Sequence, residues 1–260
     1  MPRHCYVLRV FTRDKEGGNA LGVVTDILGL DDDKMQRIAS DLGFSETIFL
    51  RWFDEPRPNA RIFTPTYEMP FAGHPLVGAA WLLLNLGPQD PGAIECSVGT
   101  IGISSEGPTT WIKVEGSQPV EPIEVDLGGW LKPKTTVVVD MPLRYLLVEV
   151  ESPTEVSEAS VPDDGAGFDS IYVWAWAAHD DVVKARFFIP GAGIPEDPAT
   201  GSAAVALASH LRSQGRDEGE LVIEQGAEMG HPSTIHLRWD RSLTFLGGEV
   251  QKDEVRFLSI

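Results

Sequence analysis

Three acid/base side chains stand at positions where proton transfer could be carried out: Glu46, His74 and Asp197. Glu46 follows a helix-stop glycine, Gly43, and leads the apolar run Ile48, Phe49, Leu50. A carboxylate held there against apolar neighbours has its pKa raised toward neutrality and can exchange protons with carbon. An ordinary solvated glutamate at a strand end fits the same spacing. His74 falls at a predicted helix N-terminus, where the helix dipole disfavours imidazolium and keeps the ring neutral. Such a ring can relay a proton or bond a substrate, or it can simply cap the helix. Asp197 precedes Pro198 just before a second helix start, a place where aspartate also serves as a turn residue.

The segments around these residues repeat. Arg61-Ile62-Phe63-Thr64-Pro65 matches Arg186-Phe187-Phe188-Ile189-Pro190. The first is followed by Met69-Pro70-Phe71-Ala72-Gly73-His74-Pro75 and an apolar run from Leu76 to Leu86. The second is followed by Ile194-Pro195-Glu196-Asp197-Pro198-Ala199-Thr200-Gly201-Ser202 and a run from Ala203 to Leu211. The chain is therefore read as an internal duplication. Gly73 and Gly201 permit close backbone approach, and a loop opening onto a helix start aims N–H groups at whatever lies above it. Two such helix ends converging on one ligand would hold a carboxylate. Taken singly, each loop is also an unexceptional strand-to-helix turn.

Both repeated helices are apolar nearly all round, so each must be enclosed. Strand-like runs surround them at Val7–Phe11, Thr47–Phe53, Thr110–Val114, Thr135–Val139, Leu143–Val150, Ile171–Ala177 and Leu221–Glu224. The economical arrangement is α+β, with two pseudo-symmetric halves, each a mostly antiparallel barrel or cone of strands around a central helix. A further helix is signalled by Asp31 as N-cap, acidic residues in the first turn, and Met35, Ile38, Ala39 and Leu42 at helical spacing before Gly43. It delivers the chain to Ser45-Glu46-Thr47. The stretch Glu115–Pro122, polar and with two prolines, reads as the linker. The halves are placed at 1–118, which a last strand at about 253–260 can complete, and at 119–252. Ser152–Ala166 reads as a solvated loop within the second half.

Composition narrows the function. Of 260 residues, 39 are acidic and 21 basic, a formal charge of −18 that argues against nucleic acid or an anionic membrane as partner. The longest apolar run, Leu76 to Leu84, is far shorter than the roughly 20 residues that span a bilayer. The N-terminus enters strand-like sequence with no secretory pattern, which implies a cytoplasmic protein. Cys5 and Cys96 have no metal-ligand spacing, nor do His4, His179, His210, His231 and His236, and no metal site is expected.

Four stretches resemble the PhzF-like phenazine-biosynthesis family, within the wider diaminopimelate-epimerase-like fold. They are Gly18-Asn19-Ala20-Leu21-Gly22-Val23-Val24, Ser45-Glu46-Thr47, Arg61–Pro65 with Pro70–Pro75, and Glu196–Ala203. Their order fits that family along essentially the whole chain. The resemblance implies two pseudo-symmetric halves with the active site in the cleft between them. It implies Glu46 as the acid/base, with His74 and Asp197 helping to hold or shuttle protons. Ser45, Gly73, Thr200, Gly201 and Ser202 would bind substrate, as would Asn19, although Ala20 stands where the family usually has proline. A homodimer and a cofactor-independent, metal-free isomerisation of a small anionic substrate are implied too. His231 occupies a position where the family often has arginine. The racemases of the wider fold use a cysteine at each helix start, and none stands in 71–75 or 199–202. Two other readings remain open: a racemase or epimerase using two non-thiol bases, and a non-catalytic metabolite-binding protein.

Overall fold

A computed structural model of the chain describes residues 3–51, 57–87, 91–160, 167–179, 181–191 and 195–258. Trp52, Phe53, Ile194, the 161–166 part of the expected loop and the final Ser259 and Ile260 lie outside the described residues. The chain separates into two compact units, residues 1–114 with 247–260, and residues 115–246.

The first unit runs β1 (Arg3–Thr12), β2 (Asn19–Val24), α1 (Asp32–Leu42), β3 (Glu46–Arg51), β4 (Asn59–Phe63), β5 (Glu68–Met69), α2 (Gly73–Leu86), β6 (Ala93–Cys96), β7 (Gly99–Glu106) and β8 (Thr109–Glu115). α1 begins where expected, with the Asp31 side chain accepting from the Lys34 N–H, and stops at Gly43 in the left-handed conformation. Its buried face, Met35, Ile38 and Ala39, packs with Cys5, Val24, Phe49 and Phe63. α2 has no polar face to offer water: every residue from Gly73 to Ala80 is buried, as are Leu82 and Leu83. It lies against β1, β2, β3 and β7. The contact is close because residue 78 is glycine; a Cβ there would collide with Leu21 and press on Val10.

The second unit runs β9 (Val120–Pro122), β10 (Thr135–Asp140), β11 (Arg144–Glu149), α3 (Pro153–Glu158), β12 (Ile171–Trp176), β13 (Val182–Phe188), β14 (Glu196–Asp197), α4 (Gly201–Ser213), β15 (Gly219–Gln225) and β16 (Ser233–Trp239). α4 is buried from Gly201 to Leu211. The long final strand β17 (Leu243–Leu258) carries the chain back, and its latter part pairs antiparallel with β1 from Val10 opposite Val250 to Arg3 opposite Leu258.

Strand pairing shows the duplication. In the first unit β2 is parallel to β3, β3 antiparallel to β4, β4 antiparallel to β5 and parallel to β6, and β6 antiparallel to β7. In the second, the same sequence of pairings runs through β11, β12, β13, β14, β15 and β16. The expected α+β organisation, strands around one enclosed helix twice over, is present.

One expectation is corrected. Ser152–Ala166 is not simply a solvated loop, because α3 occupies its first half. Ser152 accepts from the Glu155 N–H, Pro153 stands in the first turn, and Val156 is buried. α3 sits between β11 and β12 as α1 sits between β2 and β3, so it is the counterpart of α1 in the repeat. The boundary between the units falls at 114/115, at the start of the expected linker 115–122, and that stretch is held within the second unit. The Gly116 N–H donates to the Ser242 carbonyl, the Gln118 N–H donates to Ser209 Oγ, and β9 pairs with β10.

Candidate active site

The expected site residues fall into two clusters, one in each unit. In the first unit, Asn19 opens β2, Ser45 and Glu46 lead into β3, and Gly73 and His74 open α2. Leu21 lies opposite Glu46 in the parallel β2–β3 pair, which brings the two strand starts together. His74 Nε2 is 3.6 Å from Glu46 Oε2. On its other side, Nδ1 is 3.4 Å from Asn19 Nδ2, and Asn19 Oδ1 accepts from Ser45 Oγ at 3.3 Å. Four of the expected residues, Glu46, His74, Asn19 and Ser45, thus form one connected group, with Gly73 next to His74 in the chain.

The His74 ring is 4% exposed. Burial pushes its pKa down to about 3, against a smaller opposing effect of its bond to the Ala20 backbone. The imidazole is therefore neutral at working pH and offers one donor and one acceptor nitrogen. The Glu46 side chain keeps 17% of its surface open, enough for a carboxylate to meet a small molecule while shielded on most sides. No side chain caps α2 at Ala72, so the helix start retains its attraction for an anion.

Tyr67 was not singled out from sequence, where it carries no motif. Burial, then the negative charge of Glu46, pushes its phenol pKa up. The turn that presents it is tied by Thr64 Oγ1, which accepts from the N–H groups of Thr66 and Tyr67.

In the second unit, Asp197 ends β14 and Thr200, Gly201 and Ser202 begin α4, again without a side-chain cap. Thr200 Oγ1 donates to Asp197 Oδ2 at 2.6 Å, and Tyr145 Oη donates to Ser202 Oγ at 2.8 Å. Asp197, Thr200 and Ser202 are each 7% exposed. Tyr145 and Gln225, both in contact with this cluster, were missed because a single polar tip within a strand leaves no spacing signal.

The duplication extends to what holds these loops. Arg61 makes a two-pronged ion pair with Glu68 at 2.7 and 2.6 Å, and Arg186 makes one with Glu196 at 2.8 and 2.8 Å. Each guanidinium also lies over the phenylalanine two residues on, Phe63 or Phe188. Both then reach the small helix of their unit: Arg61 bonds Asp32 in α1, and Arg186 takes the carbonyls of Ser157 and Ala159 at the end of α3.

Cys5 is buried in the first unit, its thiol pushed up to about 11 by burial, and Cys96 ends β6. At the second residue of each enclosed helix stand His74 and Ser202. His210 is enclosed in α4 with its ring against Trp174. His231 is exposed; its N–H donates to the Gly226 carbonyl. Among the described residues, no three His, Cys, Asp or Glu side chains are grouped as metal ligands, and no helix is long and apolar enough to cross a membrane.

A family described as phenazine biosynthesis-like protein, PhzC-PhzF, matches residues 8–127 and 133–256. The chain belongs to this family. An uncharacterized isomerase of Mesorhizobium japonicum is 31% identical over 284 residues, covering 95% of this chain and 93% of that protein. The trans-2,3-dihydro-3-hydroxyanthranilate isomerase of Pseudomonas aeruginosa is 34% identical over 252 residues, 90% of each chain. A PhzF-family crystal structure from Enterococcus faecalis superposes with a TM-score of 0.81 over 100% of both chains at 20% identity, which speaks to the fold alone. As a PhzF-family member with named isomerases among its relatives, the chain is an isomerase.

Proposed function

We propose that this PhzF-family isomerase shifts a proton along a small carboxylate-bearing substrate by general acid/base catalysis, with Glu46 as the base and then the acid. The observation that carries this reading is the pair formed by Glu46 and a buried, neutral His74 at the start of α2, 3.6 Å apart. Glu46 takes the proton from a carbon next to an electron-withdrawing group. The electron pair of the broken C–H bond moves into the conjugated system, and the proton returns at its far end. His74 can accept a hydrogen bond from the protonated Glu46 without competing as a base, since its own proton affinity is so low. Asp197 is proposed to assist in proton handling. Asn19, Ser45, Gly73, Thr200, Gly201 and Ser202 are proposed to bind the substrate, with the uncapped helix starts supplying N–H groups for its carboxylate. The scheme draws on side chains and backbone alone. The family resemblance also supports a cytoplasmic homodimer, which sedimentation would test.

The test is incubation in deuterated water with trans-2,3-dihydro-3-hydroxyanthranilate and with a panel of small amino, hydroxy and dihydroaromatic acids. Deuterium uptake is followed by mass spectrometry for wild type and Glu46→Gln. Uptake at a new carbon, abolished in the variant, supports the reading. Uptake at one stereocentre with inversion favours an epimerase. Binding of a panel member without uptake by either protein favours a metabolite-binding protein.

A further inference from the structure

Gln225, at the end of β15 and 2% exposed, reaches the loop ahead of α4 with its whole amide. The Thr200 N–H donates to Gln225 Oε1 at 3.3 Å, while Gln225 Nε2 donates to the Asp197 carbonyl at 2.8 Å and to Thr200 Oγ1 at 3.0 Å. The backbone sets which way the amide faces: an N–H can only donate and a carbonyl can only accept, so oxygen meets Thr200 and nitrogen meets Asp197. One consequence concerns the hydroxyl. Because Thr200 Oγ1 already accepts from Nε2, its own proton is directed to Asp197 Oδ2, 2.6 Å away.

The next residue makes this approach possible. Gly226 has φ +81°, and a Cβ there would overlap the carbonyl of His231 and crowd that of Pro198. Gln225 and Gly226 together form a seat for the Asp197–Thr200 loop. The first unit has a simpler version, in which Ser97 Oγ, just past β6, donates to the Pro70 carbonyl at 2.8 Å.

We propose that Gln225 is a positioning residue for Asp197: it turns the Thr200 hydroxyl proton onto Asp197 Oδ2 and so fixes the orientation of the carboxylate. This rests on the assignment of Asp197 to the acid/base machinery, but its structural half can be tested without turnover. The test uses full-length protein with aspartate 13C-labelled at the carboxyl, and follows the Asp197 signal against pH by NMR. The proteins compared are wild type, Gln225→Met, Thr200→Val and the double variant, with thermal melts as the check on folding.

Losing a donor to a carboxylate raises its titration midpoint. Thr200→Val is expected to move the Asp197 midpoint up by roughly 1 pH unit, and Gln225→Met by about half as much. In the Thr200→Val background, Gln225→Met should add little, because the hydroxyl that transmits its effect is gone. An equal shift from Gln225→Met in both backgrounds, or none in either, would overturn the proposal. In parallel, the turnover rate read from deuterium uptake into trans-2,3-dihydro-3-hydroxyanthranilate should fall about tenfold or more for Gln225→Met at saturating substrate. A fall confined to KM would overturn the assigned role. If wild type leaves that acid unlabelled, the assignment of that substrate fails, while the NMR cycle still decides the inference about Gln225.

Discussion

At the scale of single residues, the depressed proton affinity of His74 has consequences for stability as well as chemistry. Between its folded value of about 3 and the ordinary value of 6.5, the unfolded chain binds a proton at this site that the folded chain does not. Stability contributed by the neutral ring is thus complete above about pH 6.5 and is lost as pH falls toward 3. One pH unit in that window corresponds to about 1.4 kcal/mol. Melting curves at pH 7 and pH 5 should show a drop in Tm for wild type that is visibly smaller in His74→Gln. Equal drops would mean the ring is not held neutral. Glu46→Gln keeps the shape of the side chain but cannot take a proton. Its turnover should fall by about a thousandfold or more, on the order of what a positioned acid/base supplies, with the melting temperature little changed.

At the scale of elements, the two enclosed helices depend on near-contact with the strands around them. Gly78→Ala adds one methyl where Leu21 already stands, and overpacking of this kind typically costs about 1–3 kcal/mol. The usual helical gain of alanine over glycine, up to about 1 kcal/mol, does not offset it. Urea unfolding should show net destabilisation; a stabilised variant would show that the strands can move aside. The arginine clamps offer a second test. Arg186 and Glu196 are only 12% and 14% exposed in their side chains, and Arg186→Lys keeps the charge but loses the fork that spans both carboxylate oxygens and the α3 carbonyls. The same urea assay should register a loss of about 1–3 kcal/mol, as for a broken buried hydrogen-bond network. Arg238→Lys, an exposed pair with Glu220, should register almost nothing.

At the scale of the whole molecule, the chain begins and ends in the same unit. β17 covers β1 across most of its length, and Gly247 and Gly248 let it pass against the rings of Trp111 and Phe11. Ending the chain at Leu246 strips β1 of a partner strand and leaves a long edge exposed, which favours aggregation over cooperative folding. Light scattering and the loss of a sharp melt should report this; a monomeric truncated protein with wild-type cooperativity would refute it.

Much of this was legible in the residues themselves. The repeat of Arg61–Pro65 in Arg186–Pro190, with two all-apolar helices, implied two halves each enclosing a helix, because such helices have nowhere else to go. The capping residues of α1 announced its bounds, since a cap acts through a few neighbouring positions. α3 was hidden by its brevity and by polar flanks, although Ser152 and Glu155 carry the spacing of a capping pair. Tertiary structure alone decided the pairing of His74 with Glu46 and Asn19, the burial that keeps His74 neutral, and the reach of Gln225 to Asp197 and Thr200. Those contacts join residues 25 to 55 positions apart. Their geometry depends on strand register and on how closely a helix can lie in its sheet, quantities that no local pattern of residue types encodes.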